Sequence, residues 1–190
     1  MRIVGGIWRG RALSTPEGRN TRPTTDRTRE SIASMVLSAF DLDLSDVVVL
    51  DAFAGSGAIG LELLSRGASS CTFVERDRRT AGIVRGNAKT LGASSAMAQV
   101  QVGDVFALAA RGAVMGGPFS LVVLDPPYAD ESEAVSGLVR NLREHGQLAD
   151  GALVLYEHAT GSSELELPGA EVVRHRERKT TAVTLLRWEA

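Results

Sequence analysis

The 190-residue sequence has one cysteine, Cys71, only three histidines, and no apolar run near the roughly 20 residues that span a bilayer. A lone cysteine excludes an internal disulfide, and three scattered histidines give no metal-ligand spacing. No metal is therefore expected, and any cofactor should be organic. The opening Met1-Arg2-Ile3-Val4-Gly5-Gly6 lacks the apolar core of a signal peptide, so the cytosol is the expected compartment and no membrane partner is expected. What is present, 44% hydrophobic and 23% charged residues, suits one compact α/β domain with small appendages. A monomer is the expected state.

The net charge of −2 conceals an uneven distribution. Residues 1–30 carry seven arginines against three acids, and residues 171–190 carry five basic against three acidic groups. The ends are thus +4 and +2, and the body between them is −8. Basic margins around an acidic body fit a polyanionic partner held from the edges.

Hydrophobic periodicity supplies the organisation. Thr24 to Phe40 reads as an amphipathic helix, with Ile32, Met35, Val36 and Ala39 at helical spacing. Asp46 to Asp51 is a short buried strand, followed by Ala54-Gly55-Ser56-Gly57 and a helix from Ala58 to Ser65. Strands at Cys71 to Glu75, Met97 to Val102 and Phe119 to Leu124 alternate with helices starting at Asp77, after Asp104 and after Asp130. Such alternation predicts a parallel sheet with helices on both faces. From Gly151 the pattern becomes strands at Ala152 to Glu157, Glu171 to Arg178 and Thr181 to Trp188, the last two as a hairpin. A mixed seven-stranded sheet with an antiparallel final strand is predicted.

Gly55-x-Gly57-x-x-Gly60 directly follows the first strand, where glycines permit a tight turn near a helix N-terminus. An ordinary strand-to-helix turn or a nicotinamide enzyme would also account for it, since Glu75 ends the next strand about 20 residues on and could hold ribose hydroxyls in either class. Asp51 separates the alternatives: a carboxylate there opposes a pyrophosphate but suits the ammonium of a methionine moiety. Asp104, after the third strand, is placed to accept from an adenine amino group, and it would equally cap the helix that follows.

The most informative segment is Leu121-Val122-Val123-Leu124-Asp125-Pro126-Pro127-Tyr128. A strand ends in an acid, a rigid double proline and an aromatic at the sheet edge where open α/β folds bind ligands. Together with the glycine loop this resembles the class I methyltransferases that carry an Asn/Asp-Pro-Pro-Tyr motif and modify amino nitrogens. Arg2-Ile3-Val4-Gly5-Gly6, Arg9-Gly10-Arg11, Thr21-Arg22-Pro23-Thr24-Thr25-Asp26-Arg27, Asp51-Ala52-Phe53-Ala54-Gly55-Ser56-Gly57 and Asp125-Pro126-Pro127-Tyr128 make the whole chain resemble the bacterial RsmD family. The resemblance implies methylation of N2 of a guanine in 16S rRNA of the small ribosomal subunit, a guanine 966-type position. It implies a Rossmann-like class I methyltransferase domain over residues 23–190, with S-adenosylmethionine as cofactor. A small β-hairpin extension over residues 1–22 would precede it. Cofactor contacts are then expected from Asp51, Phe53, Gly55, Ser56, Gly57, Glu75 and Asp104. RNA contacts are expected from Trp8, Arg9, Arg11, Arg19 and Arg22 on a separable basic arm, with Trp8 either an exposed stacking residue or a hydrophobic anchor. The His175-Arg176-Glu177-Arg178-Lys179 turn would add a second basic contact.

The chemistry gives each motif residue a task. The Asp125 carboxylate and Pro126 carbonyl accept from the amine, and Tyr128 stacks on the base. Cys71, inside a strand, is expected to be structural. The rival readings are an adenine-N6 nucleic-acid methyltransferase, a protein-glutamine methyltransferase and a non-catalytic nucleotide-binding module.

Overall fold

The computed structural model describes residues 1–16, 25–127 and 132–188, so expectations about Arg19, Arg22 and Tyr128 fall outside the described residues. Its elements in chain order are α1 (Asp26–Ala39), β1 (Val48–Asp51), α2 (Ala58–Ser65), β2 (Ser70–Glu75), α3 (Arg78–Leu91), β3 (Ala98–Val102), α4 (Val105–Ala109), β4 (Phe119–Leu124), α5 (Ser132–Glu144), β5 (Leu148–Ala159), β6 (Ala170–Arg178) and β7 (Thr181–Trp188). Side chains cap the helix starts. Thr25 Oγ1 accepts from the Thr28 N–H at the start of α1, and Asp77 Oδ1 from the Thr80 N–H at the start of α3. Gly92, at φ +84°, ends α3 in the left-handed region open to glycine.

The seven strands form one sheet in the order β3-β2-β1-β4-β5-β7-β6. Pairing is parallel from β3 through β5, and β7 lies antiparallel between β5 and β6. The mixed sheet is as predicted, but β5 starts four residues before the expected Ala152. The early segment pairs Phe119 with Leu148, then shifts register before Leu121 meets Leu153. Gly151, at φ +67°, lies within the displaced stretch, which breaks the alternation that sequence reading relies on.

Each sheet face buries its own cluster. Phe73, Leu61, Leu64 and Val84 pack on one face, and Val122, Leu124, Val135 and Leu142 on the other. All eight residues of α2 are buried. A helix buried on every side needs cover beyond the sheet, and here the N-terminal arm supplies part of it. Ile3, Trp8 and Leu13 of the arm join the core cluster, each adding roughly 1.5–3 kcal/mol of burial.

The polar residues of α2 complete the docking. The Val4 and Gly5 N–H groups donate to Glu62 at 2.7 and 2.8 Å, and Arg66 Nε donates to the same carboxylate at 2.8 Å. The Trp8 N–H donates to Ser65 Oγ at 2.9 Å. A Cβ on Gly6, at φ +77°, would fall 1.8 Å from the Ser65 carbonyl oxygen, so only glycine permits this approach. Arg2 and Ala12 close the expected hairpin with a single antiparallel bridge. Over the described residues 1–16 the arm therefore packs on the domain, whereas its Arg/Gly composition suggested a separable extension. Three apolar residues at wide spacing, below the threshold of any periodicity, make it part of the core.

Candidate active site

The chain runs outward from β1 to β3 on one side and from β4 to β5 on the other, so β1 and β4 flank the point where strand order reverses. Crevices open outside the carboxyl ends of strands at such a point. A cleft of about 1160 Å³ lies there, lined by the residues that follow β1, β2, β3 and β4.

One flank is acidic and firmly built. Asp51, at the end of β1, is 2% exposed, and its Oδ2 accepts from the Gly60 N–H at 3.1 Å. That bond caps α2, whose own N-cap, Gly57, has no side chain to do so. Burial pushes the Asp51 carboxyl up to about 7, with the charges of Asp125 and Glu75 adding to the rise and the Gly60 N–H opposing it. Glu75, at the end of β2, accepts from the Gly55 N–H at 3.1 Å and from the Asp77 N–H at 2.8 Å. It thereby ties the glycine loop to the start of α3. Asp104 is exposed on the cleft and accepts from the Ala107 N–H at 3.1 Å. The capping role is thus filled by one carboxylate oxygen of a residue that also lines the cleft. Phe53 and Phe106 meet edge to face, 5.7 Å between centroids, on the same wall.

The glycines divide their labour differently from the sequence expectation. Gly55 and Ser56 line the cleft, whereas Gly57 does not. A Cβ on Gly57 would approach Val84 at 2.9 Å, and one on Gly60 would meet Phe73 and Cys71 at 2.4 and 2.7 Å. These two glycines let α2 lie close on β2 and leave ligand contact to the preceding loop. Cys71 is buried beneath them, and burial pushes its thiol up, so it is a packing residue and not a nucleophile.

Asp125, Pro126 and Pro127 occupy the middle of the cleft, at the end of β4. Beside them stands Glu157, at the expected end of a strand and outside the expected site residues. Leu124 pairs with Tyr156, so the next position on each parallel strand brings Asp125 and Glu157 to one edge. A glutamate closing the run Leu153-Val154-Leu155-Tyr156 was the available signal, but its significance depends on which strand lies alongside.

The other flank is basic. Arg27 from α1 and Arg176, Arg178 and Lys179 from the β6–β7 hairpin line the cleft, all four exposed and forming no ion pair among the described residues. Strand alternation explains the row. Arg174, Arg176 and Arg178 pair with Leu185, Val183 and Thr181 and share one face of β6. The intervening His175 turns the other way, with Nδ1 2.8 Å from Thr184 Oγ1. The expected basic turn is therefore an arginine row leading into the cleft.

The arm contributes less directly than anticipated. Met1, Thr15 and Pro16 border the cleft, whereas Trp8, Arg9 and Arg11 do not line it. Trp8, at 8% exposure, is the hydrophobic anchor and not an exposed stacking residue, because α2 needs its cover. Arg11 Nη2 donates to the Thr90 carbonyl at 2.6 Å near the end of α3, and Arg9 is exposed. Among the described residues no three His, Cys, Asp or Glu side chains are grouped to hold a metal, and no helix is long and apolar enough to cross a membrane.

Buried and backbone-bonded acids on one flank would repel a pyrophosphate and suit a small ligand bearing positive charge. The arginine row on the other suits a polyanion.

Comparison with known proteins shows the family. Residues 1–188 match the family described as Conserved hypothetical protein 95. The chain is 37% identical over 168 residues to YlbH of Bacillus subtilis, covering 88% of this chain and 86% of that protein. It is 36% identical over 178 residues to ribosomal RNA small subunit methyltransferase D of Escherichia coli, covering 94% of this chain and 84% of that protein. The solved structure of yhhF from Escherichia coli superposes with a TM-score of 0.85 at 35% identity, over 100% of this chain and 98% of that one.

Proposed function

Since the chain belongs to the Conserved hypothetical protein 95 family, that of the bacterial small-subunit rRNA methyltransferases D, we propose that it is an rRNA methyltransferase whose target is the exocyclic N2 of a guanine in 16S rRNA, at the guanine 966-type position. The observation that carries this reading is the meeting of two unlike flanks at Asp125-Pro126: fixed acids on one side, an arginine row on the other.

S-adenosylmethionine is the cofactor these acids fit, and when bound it supplies an electrophilic methyl group on a sulfonium. Asp51, which lines the cleft, would hold the ammonium. Glu75, already oriented by two backbone donors, keeps lone pairs that would accept from ribose hydroxyls, and Asp104, with Phe53 and Phe106 on the same cleft, would accept from the adenine amine. The difficult partner is the nucleophile, because an exocyclic amine shares its lone pair with the ring. The Asp125 carboxylate and the Pro126 carbonyl accept its two N–H groups, which favours a pyramidal nitrogen with its lone pair towards the methyl. Once the amine has taken the methyl group, its surplus proton would pass to Asp125 or to water beside it. Tyr128, Arg19 and Arg22 belong to the proposal as base-stacking and RNA contacts, and exposed Arg9 extends the basic surface.

Transfer of labelled methyl to purified small-subunit rRNA, duplex DNA and protein, followed by nucleoside analysis, tests the reading. N2-methylguanosine in rRNA is expected. N6-methyladenosine would replace it with the adenine alternative, and no transfer to any acceptor would leave only a binding module.

A further inference from the structure

Glu157 is 8% exposed, and its Oε2 has no hydrogen-bond partner among the described residues. A buried carboxyl without a partner weakens a fold, and a hydrophobic residue of similar size would serve the packing better. Its position explains the sacrifice. It lines the cleft with Asp125 and Pro126, and the β4–β5 register sets it beside the motif that receives the amine. On the basic side of the same opening stand Arg27 and Arg176, but neither forms an ion pair with it.

Guanine presents a matching edge. Next to the N2 amine come the N1–H donor and then the O6 acceptor. We propose that the Glu157 carboxyl reads the N1–H and O6 edge of the acceptor guanine, next to the amine held by Asp125 and Pro126. The inference rests on the guanine-methylating reading above. A carboxylic acid has one accepting oxygen, which takes the N1–H, and one O–H, which donates to O6. Both bonds lie in the base plane and fix which ring atom neighbours the reacting nitrogen. Burial and the neighbouring Asp125 charge keep the proton on Glu157, pushing it up to about 8. Asp125 and Glu157 thus divide into an acceptor for the amine and a donor–acceptor pair for the ring.

The test compares Glu157→Leu and Glu157→Gln in the full chain, with small-subunit RNA carrying guanine or 2-aminopurine at the methylated position. 2-Aminopurine keeps the reacting amine but lacks N1–H and O6. Glu157→Leu should lower kcat/KM on guanine by about 100-fold, the loss of two hydrogen bonds to substrate, with cofactor affinity unchanged and melting temperature no lower than wild type. Glu157→Gln, whose amide reproduces one donor and one acceptor, should recover at least about tenfold of that loss. Wild type should discriminate against 2-aminopurine, and Glu157→Leu should have lost most of that discrimination. The inference is overturned if Glu157→Leu matches wild type on guanine. It is equally overturned if Glu157→Gln is as inactive as Glu157→Leu, which indicates a proton-accepting base, or if both variants discriminate against 2-aminopurine as strongly as wild type. Absence of methyl transfer by wild type to guanine-containing RNA would instead remove the underlying functional reading.

Discussion

The two flanks of the cleft differ in how their charges are held. On the acidic side, Asp51 and Glu75 are tied by backbone N–H groups of Gly60, Gly55 and Asp77, so each carboxylate is oriented before a ligand arrives. On the basic side, Arg27, Arg176, Arg178 and Lys179 are exposed and make no ion pair among the described residues. Preorganised acids give geometric selectivity for one small ligand, because the ordering cost is met during folding. Loosely held arginines give long-range attraction to a polyanion, with affinity governed by counterion release. The difference separates recognition of a cofactor from capture of a much larger substrate.

The sharpest way to break this division lies where the flanks meet. Asp125→Ala should lower turnover by about 100-fold or more while leaving cofactor affinity within about threefold of wild type, since its bonds to the amine matter chiefly in the transition state. Single-turnover kinetics with calorimetry on the same variant would decide it, and a matched loss of both properties would place Asp125 on the acidic flank instead. Glu75→Ala should weaken cofactor binding by about 10- to 100-fold, through lost charge-assisted bonds and a released glycine loop, without altering the salt dependence of RNA binding. A change in that salt dependence would contradict the separation of the flanks.

Protonation provides a smaller test with two opposite slopes. Asp51 and Glu157 are held up to about 7 and about 8, against 3.8 and 4.5 for the ordinary groups. Between these limits the folded chain keeps protons that the unfolded chain has released, so the contribution to stability is present at low pH and is lost as pH rises towards 8. The melting temperature of the ligand-free protein should fall across pH 5 to 8, and fall less steeply in Glu157→Gln. Affinity for the cationic cofactor should rise over pH 6 to 8, because Asp51 must ionise to hold an ammonium. Parallel slopes for the two quantities would argue against Asp51 as that ligand. The smallest effect belongs to the basic flank, where Arg176→Ala with Arg178→Ala should reduce the log–log salt slope of RNA binding by about 0.7–0.9 per lost contact. Cofactor affinity should not move, and an unchanged slope would mean that the arginine row does not touch phosphate.

The two arginine-rich ends of the chain show how far composition carries. In sequence they are similar, +4 and +2 around an acidic body. In the fold the arm is pinned to α2 through Ile3, Trp8, Leu13 and the bonds to Glu62 and Ser65, while the hairpin's Arg176 and Arg178 line the cleft. Charge counts report the number of cations but not the few apolar residues among them that decide which segment is buried.

The sequence by itself determined the features that depend on near neighbours in the chain. The alternation of strands and helices, the capped starts of α1, α3 and α4, the glycine turn after β1 and the Asp125-Pro126-Pro127 stop after β4 follow from side-chain periodicity, capping and backbone freedom within a few residues. Tertiary structure alone decided the features that depend on which elements lie side by side. It set Gly57 and Gly60 against Val84, Phe73 and Cys71, turned Trp8 inward over α2, aligned the arginines of β6 with the cleft, and set Glu157 next to Asp125. Burial and like-charge proximity are properties of non-local neighbours, and a parallel pair such as β4 and β5 draws those neighbours from positions some thirty residues apart.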